Sequence, residues 1–230
     1  MSTKIPWADE TWNPVTGCTP ISRGCANCYA AKMFERHLWD YDFTPGTVHP
    51  NRMAQPSKWK SHKKVFVCSM GDLFHKDVAG SDIADVWQVM EDNPQHTFMV
   101  LTKRPERMRQ ILCEPCNISI PSHIWLGVTA ENRHQASWRI GVLVSIPAKV
   151  RFVSVEPMLE GISLAGSYRG DGPRSHGVDW VIAGPETGTR ARYCSPKWID
   201  NLHTECICSD IPFFDKRDDY IAREWPEEAK

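Results

Sequence analysis

Three cysteines, Cys18, Cys25 and Cys28, fall in the segment Trp12-Asn-Pro-Val-Thr-Gly-Cys18-Thr-Pro-Ile-Ser-Arg-Gly-Cys25-Ala-Asn-Cys28-Tyr-Ala30. Gly17, Pro20 and Gly24 favour a tight loop, and a tight loop can turn three thiolates toward one point. Three thiolates are one short of a closed tetrahedral site. A structural zinc wants a fourth protein ligand, whereas an iron-sulfur cluster on three cysteines leaves one iron open to a small molecule. Cys113 with Cys116, and Cys206 with Cys208, are the other close pairs. Neither has a second pair at finger-like spacing, and Cys206-Ile-Cys208, read as a strand, sends its two thiols to opposite sides.

Such a loop needs a frame to hold it, and the rest of the chain supplies a rhythm of short apolar runs. Tyr29 to Leu38 reads as a helix starting at the last cysteine. Residues 39–64 carry Pro45, Gly46, Pro50 and Pro56 without a sustained period and read as an irregular excursion or lid rather than core. Strands are expected at 65–68, 97–101, 124–128, 150–155, 180–183 and 211–214, with helices at 81–92, 106–112 and 133–143. Gly161 to Gly177 reads as a surface loop. Apolar runs without alternation, separated by helices, are the pattern of parallel strands buried on both faces. The expected fold is α/β, a partial or complete parallel barrel in a single domain over 1–230, with an open doubly wound sheet as the other topology. Either arrangement collects the polar residues that follow each strand at one edge.

Those residues are the remaining candidates. Ser69-Met-Gly71-Asp72, Thr102-Lys103, Glu131-Asn132, Glu156-Pro157, Gly184-Pro-Glu186 and Asp215-Lys216-Arg217 each end a strand. Glu156, a carboxylate among apolar strand residues, is expected to have a bound partner there. Gly184 to Gly188 is a turn or a weak phosphate signal. Arg190, Arg192, Lys216 and Arg217 would make a basic rim, with Trp180, Tyr193 and Trp198 near enough to stack a base. Cys68 is a candidate hydrogen-atom donor or a small buried hydrophobe.

Composition narrows the classes. The 230 residues carry 27 basic and 28 acidic side chains, a formal net charge of -1, so nucleic acid has no global attraction and any contact must be local. No long apolar segment suggests a membrane span or signal peptide, and a cytoplasmic protein is expected. Nine cysteines, an odd number, suit metal-binding thiols better than a paired disulfide framework.

With its cysteine loop and repeated strand-helix units, the chain resembles radical S-adenosylmethionine enzymes over residues 12–214. It resembles more closely a phage- and prokaryote-associated three-Cys-motif family. That likeness is carried by Thr11-Trp-Asn-Pro-Val-Thr-Gly-Cys18, Gly24-Cys-Ala-Asn-Cys-Tyr-Ala30, Ser69-Met-Gly-Asp-Leu-Phe-His75, Leu101-Thr-Lys-Arg-Pro105, Leu126-Gly-Val128 and Ser154-Val-Glu-Pro157. A more distant likeness is to the spore photoproduct lyase group of DNA-repair radical enzymes. The usual cysteine spacing of the radical enzymes is three and two residues; here it is six and two, and Asn27 stands where an aromatic residue is common.

The resemblance implies a [4Fe-4S] cluster on Cys18, Cys25 and Cys28, S-adenosyl-L-methionine as second cofactor, and generation of a 5′-deoxyadenosyl radical for modification or repair of a nucleobase or nucleic acid. It implies that Gly71 and Asp72 take the methionine ammonium, with a turn or helix cap as Asp72's other role. Thr102 and Lys103 would take the carboxylate, and Glu131 and Asn132 the ribose hydroxyls unless they cap the next helix. Glu156, Gly184 and Glu186 complete the expected cofactor set, and Glu156 is, with Cys68, also a catalytic candidate. An electron donor and a separately encoded protein partner are also implied. The competing function is a non-catalytic, zinc-stabilised module for nucleic acid or a protein partner, with His49 or His75 as fourth ligand.

Overall fold

The structure is a computed structural model and describes residues 3, 5–35, 43–114, 119–164, 177–217 and 222–227. Seven strands form one all-parallel sheet: β1 (Glu10–Trp12), β4 (Lys64–Val67), β5 (Thr97–Thr102), β6 (Ile124–Thr129), β7 (Arg151–Val155), β8 (Trp180–Ala183) and β9 (Phe213–Asp215), in that spatial order. Strands therefore stand side by side in chain order, and the sheet curls into a half-barrel flanked by helices. The partial parallel barrel read from the sequence is this fold.

Between the strands run α3 (Gly80–Glu91), α4 (Pro105–Cys113), α5 (Arg133–Leu143) and α6 (Pro196–Cys208). In α3 the buried side chains are Ile83, Val86, Trp87 and Met90, spaced to form one helix face. Pro105 opens α4, a position where its missing N–H costs nothing. These helices cover one side of the sheet, where Val65, Val67, Phe98, Val100, Leu126, Val128, Val153, Val155, Val181 and Phe213 join them in the main core. The opposite, concave side carries Phe66, Met99, Trp125, Phe152, Trp180 and Phe214, closed by Trp7 from the N-terminal segment. Gly127 is required there, because a Cβ would lie 2.5 Å from the Phe152 ring.

Three readings need correction. Cys206 and Cys208 end helix α6 rather than a strand; Ile199, Leu202 and Cys206 form its buried face, and Cys208 is exposed. Strand β9 begins two residues later than expected. The excursion at 39–64 is partly ordered core: β3 (Thr47–Val48) pairs antiparallel with β2 (Val15–Thr16), α2 (Pro50–Met53) follows, and Val48, Met53 and Trp59 pack on the main cluster. Residues 39–42, Cys116, residues 165–176 of the expected glycine-rich loop, and 36–38 of the expected first helix lie outside the described residues. The described part of that helix is α1 (Tyr29–Glu35).

Candidate functional site

The cysteine loop leaves β1 and is stitched at once to the turn after β4. The Asn13 side-chain oxygen accepts from the Met70 N–H (2.8 Å) and the Ser69 hydroxyl (3.2 Å), and the Gly17 N–H donates to the Met70 carbonyl (3.0 Å). Gly17 has φ +83°, and a Cβ there would stand 1.9 Å from the Thr44 carbonyl oxygen. At Gly71 a Cβ would come within 3.1 Å of the Gly17 carbonyl oxygen. The close approach expected of a ligand at Gly71 is thus made by the chain's own backbone. Beyond Cys18, the single turn Arg23–Cys25 leads to Cys28, directly before α1.

From this start the loop runs along the C-terminal ends of the strands and is held from β4, β5 and β8, with Gly24 packed closely against Glu131 after β6. At β5 the grip is Arg104, whose guanidinium meets the Asp72 carboxylate at 2.8 Å, the Thr19 carbonyl at 2.9 Å and the Cys18 sulfur at 3.4 Å. Asp72 also accepts from the Thr102 hydroxyl (2.7 Å), the Phe74 N–H (3.0 Å) and the Lys103 N–H (3.2 Å). A carboxylate offers about four acceptor sites, and these four donors fill them. Asp72 has no acceptor site left for an ammonium, and the Thr102 hydroxyl, which also accepts from the Arg104 N–H, spends its one proton on Asp72 and has none left to donate to a carboxylate; both are corrected to positioning roles.

Burial and the Asp72 charge push the Cys18 thiol up, against the opposing pull of Arg104. Burial acts the same way on Cys25, but hydrogen bonds to the Ile21 and Ser22 backbone, the Lys103 charge and the Ser22 hydroxyl outweigh it and bring this thiol below its ordinary value. Lys103 thus stays in the site through its charge.

At β6, Glu131 is fully buried and pairs with Arg139 of α5 at 2.9 Å, side chains 0 and 2 % exposed. Its second oxygen, Oε1, has no hydrogen-bond partner among the described residues, and the carboxyl faces Gly24 so closely that a Cβ there would lie 2.9 Å from the Glu131 carboxyl carbon. Asn132 is the cap of α5, its side chain accepting from the Gln135 N–H at 2.9 Å. Of the two expected ribose contacts, Glu131 retains an open acceptor and Asn132 serves its helix.

At β8 the grip is a clamp. Arg192 forks onto Glu186 (2.6 and 2.9 Å) and donates to the Arg23 carbonyl (2.8 Å), while Asn27 donates to Glu186 (3.0 Å) and to the Arg190 carbonyl (3.0 Å). Hydrogen bonds from Arg192 hold the Glu186 carboxyl down at about 2, burial opposing. Asn27 thereby finds its use: it ties the residue between the last two cysteines to the far side of the sheet. Gly184 lets Lys216 close in, since a Cβ would meet the Lys216 side chain at 2.8 Å.

Glu156 does have a partner, the Lys216 ammonium. Tyr29 leaves its ring exposed but turns its hydroxyl inward to the Ser69 carbonyl, where burial, then Cys28 and Glu156, raise it.

The expected basic rim is corrected. Arg192 is taken by Glu186, Lys216 by Glu156, and Arg217 by Asp215 (2.6 Å) and Asp200 (2.8 Å). Of the four cations, Arg190 alone makes no ion pair among the described residues. Trp180 is buried in the concave aromatic layer, away from any base, whereas Tyr193 is exposed and meets Trp198 edge to face at 6.3 Å. Cys68 belongs to the main core, and burial pushes its thiol up to about 12. Sequence reasoning missed Arg104, Arg139 and the clamp role of Arg192. Only Arg104 left a local trace, between the strand end and the helix-opening Pro105.

Cys18, Cys25 and Cys28 are unpaired, half-buried thiols on this one loop. As the side chains stand, no group of three or more His, Cys, Asp or Glu among the described residues is gathered around a metal position. The proposed fourth zinc ligands are engaged elsewhere, His49 with the Thr16 hydroxyl and His75 with the Thr19 hydroxyl, each at 2.8 Å. By donor chemistry the three thiols fit a cluster with one open iron, and the unpartnered Glu131 oxygen beneath Gly24 leaves an acceptor for a ligand beside it.

No helix among the described residues is long and apolar enough to cross a membrane. Neither a curated protein nor a solved structure matches the chain. Residues 2–227 match a family described as protein of unknown function, DUF5131, and the chain belongs to that family.

Proposed function

We propose that the protein is a radical S-adenosylmethionine enzyme of the three-Cys-motif kind, with a [4Fe-4S] cluster held by Cys18, Cys25 and Cys28. What supports this most is the placement of the cysteine loop, which runs along the C-terminal mouth of a parallel half-barrel and is held from β4, β5 and β8, with Gly24 packed against Glu131 after β6. When bound and reduced by an electron donor, such a cluster supplies the electron that cleaves the sulfonium of S-adenosyl-L-methionine. The chain's own residues position and shield. Arg104 holds Cys18, the Lys103 charge favours the Cys25 thiolate, and Glu131 Oε1 offers an acceptor to a cofactor hydroxyl. The aromatic layer of Trp125, Phe152 and Trp180 closes the floor against water. A nucleobase or nucleotide substrate extends the distant likeness to the photoproduct lyases. The reduced thiols suit a cytoplasmic setting.

Anaerobically reconstituted, dithionite-reduced protein is expected to cleave S-adenosyl-L-methionine slowly to 5′-deoxyadenosine without substrate, and Cys25→Ala to abolish this. Chromatography of the quenched reaction reads the product. Cleavage that persists in Cys25→Ala, or none in the wild type with a full cluster, would remove the catalytic reading.

A further inference from the structure

The five strand-end carboxylates are each spent on an internal cation: Asp72 on Arg104, Glu131 on Arg139, Glu156 on Lys216, Glu186 on Arg192 and Asp215 on Arg217. Cations outside those pairs therefore set the sign of the rim. Two of them, Arg133 at the start of α5 and Arg190 after β8, are exposed and make no ion pair among the described residues. Glu160 accepts from the Arg133 backbone N–H (3.4 Å), not from its guanidinium. A chain with a formal net charge of -1 thus carries a local positive strip beside the cysteine loop.

Two aromatic rings lie along this strip. Tyr193 is 76 % exposed, the highest of any large hydrophobic side chain among the described residues, and meets Trp198 edge to face at 6.3 Å. Trp198 in turn lies on Gly161, where a Cβ would stand 3.0 Å from its Cδ1, and the Gly161 carbonyl accepts from the Arg133 Nε at 2.9 Å. Gly161 so fixes a ring and a guanidinium side by side. At the other end Tyr193 directly follows Arg192, whose fork onto Glu186 and bond to the Arg23 carbonyl hold this turn against the cysteine loop. Asn27 pins the Arg190 carbonyl as well. The anchors hold the strip in place and leave most of Tyr193 to water.

We propose that this strip of Arg133, Trp198, Tyr193 and Arg190 binds a single-stranded nucleic acid, with unpaired bases stacked on the two rings and phosphates on the two arginines. Stacking on aromatic faces needs bases freed from a duplex, and cations flanking the rings track the backbone of such a strand. An acidic protein would use the arginines but has no comparable use for the rings. An apolar partner would bury two charges with no acid to answer them. The inference deepens the reading above, on whose nucleobase substrate it rests, by placing that base in a strand laid beside the cysteine loop.

The test uses the full chain as purified, without cofactor or reductant. Fluorescence anisotropy follows its binding to labelled oligothymidylate and oligouridylate dodecamers, and to the duplex of the first with oligoadenylate, over a range of salt. The single strands are expected to bind at least about tenfold more tightly than the duplex, which hides its base faces. The tighter of the two assigns the strand to DNA or RNA. Tyr193→Ala should weaken binding about tenfold, the scale of one lost base stack, while Tyr193→Phe retains it. Arg133→Gln with Arg190→Gln should lower the slope of log affinity against log salt by about 1.4, because each phosphate contact to a single strand contributes about 0.7. These side chains are exposed, so the thermal melts should not move. No single-strand binding at low salt, a duplex bound as tightly, Tyr193→Ala equal to wild type, or an unchanged salt slope overturns the proposal. Displacement of the strand by oligoglutamate of equal charge as readily as by unlabelled strand overturns it too, and points to an acidic protein. Binding absent with cofactor cleavage intact condemns the strip alone; cleavage absent with binding intact condemns the enzymatic reading alone.

Discussion

Arg104→Met is expected to destabilise the iron-free protein by about 3 kcal/mol, near the lower end of what removing one partner of a buried ion pair costs. Arg104 and Asp72 are only 12 and 6 % exposed in their side chains, and their contact is the hub that joins β4, β5 and the cysteine loop. Loss of the guanidinium leaves the Asp72 charge buried and takes the donor from Cys18 and Thr19 as well. The cost stays at the low end because Thr102, Phe74 and the Lys103 N–H still solvate the carboxylate. Urea unfolding measures it. Arg104→Lys should recover part of the loss, since an ammonium keeps the charge but cannot fork between Asp72 and Thr19. A melt for Arg104→Met within about 0.5 kcal/mol of wild type, the range of ordinary surface changes, would show that Asp72 does not need it.

Arg139→Met should be costlier still, about 3–5 kcal/mol, because Glu131 has no other donor among the described residues. Its Oε1 is already unpartnered, so the variant leaves the whole carboxyl without a hydrogen bond beneath Gly24 except for whatever water enters. The double change Glu131→Gln with Arg139→Met removes the charge along with its partner and is expected to restore a good part of the loss. Denaturant curves of the two variants form the comparison. If the double change is as unstable as the single one, packing of the Arg139 stem, rather than its charge, is what α5 requires.

Much of the frame was legible because parallel strands buried on both faces are written as unbroken apolar runs, and 97–101, 124–128 and 180–183 lie within or on their strands. The short β1 was not, since Glu10-Thr-Trp12 is three residues long and pairs with β4 more than fifty positions away. Helix α6 was obscured by a C-terminal turn of Cys, Ile and Cys, weak helix formers, although Ile199, Leu202 and Cys206 carry the helical period. In the site, the three cysteines and the strand-end polar residues could be named from their positions. What could not be read was which of them are consumed internally. Asp72 finds Thr102 and Arg104 some thirty residues on, and Glu186 finds Asn27 across 159 positions. Such pairings depend on where the sheet lays its edges side by side. For the same reason three of the four expected rim cations are taken by internal carboxylates.

The central claim is that Cys18, Cys25 and Cys28 hold a cluster with one open iron. Iron and sulfide analysis of anaerobically reconstituted protein, with electron paramagnetic resonance of the reduced sample before and after S-adenosyl-L-methionine, tests it most directly. The account predicts about four irons per chain, a reduced-cluster signal that changes when S-adenosyl-L-methionine is added, and loss of both in Cys25→Ala. Stoichiometric zinc with no iron uptake after reconstitution, or a full cluster in Cys25→Ala, would contradict it.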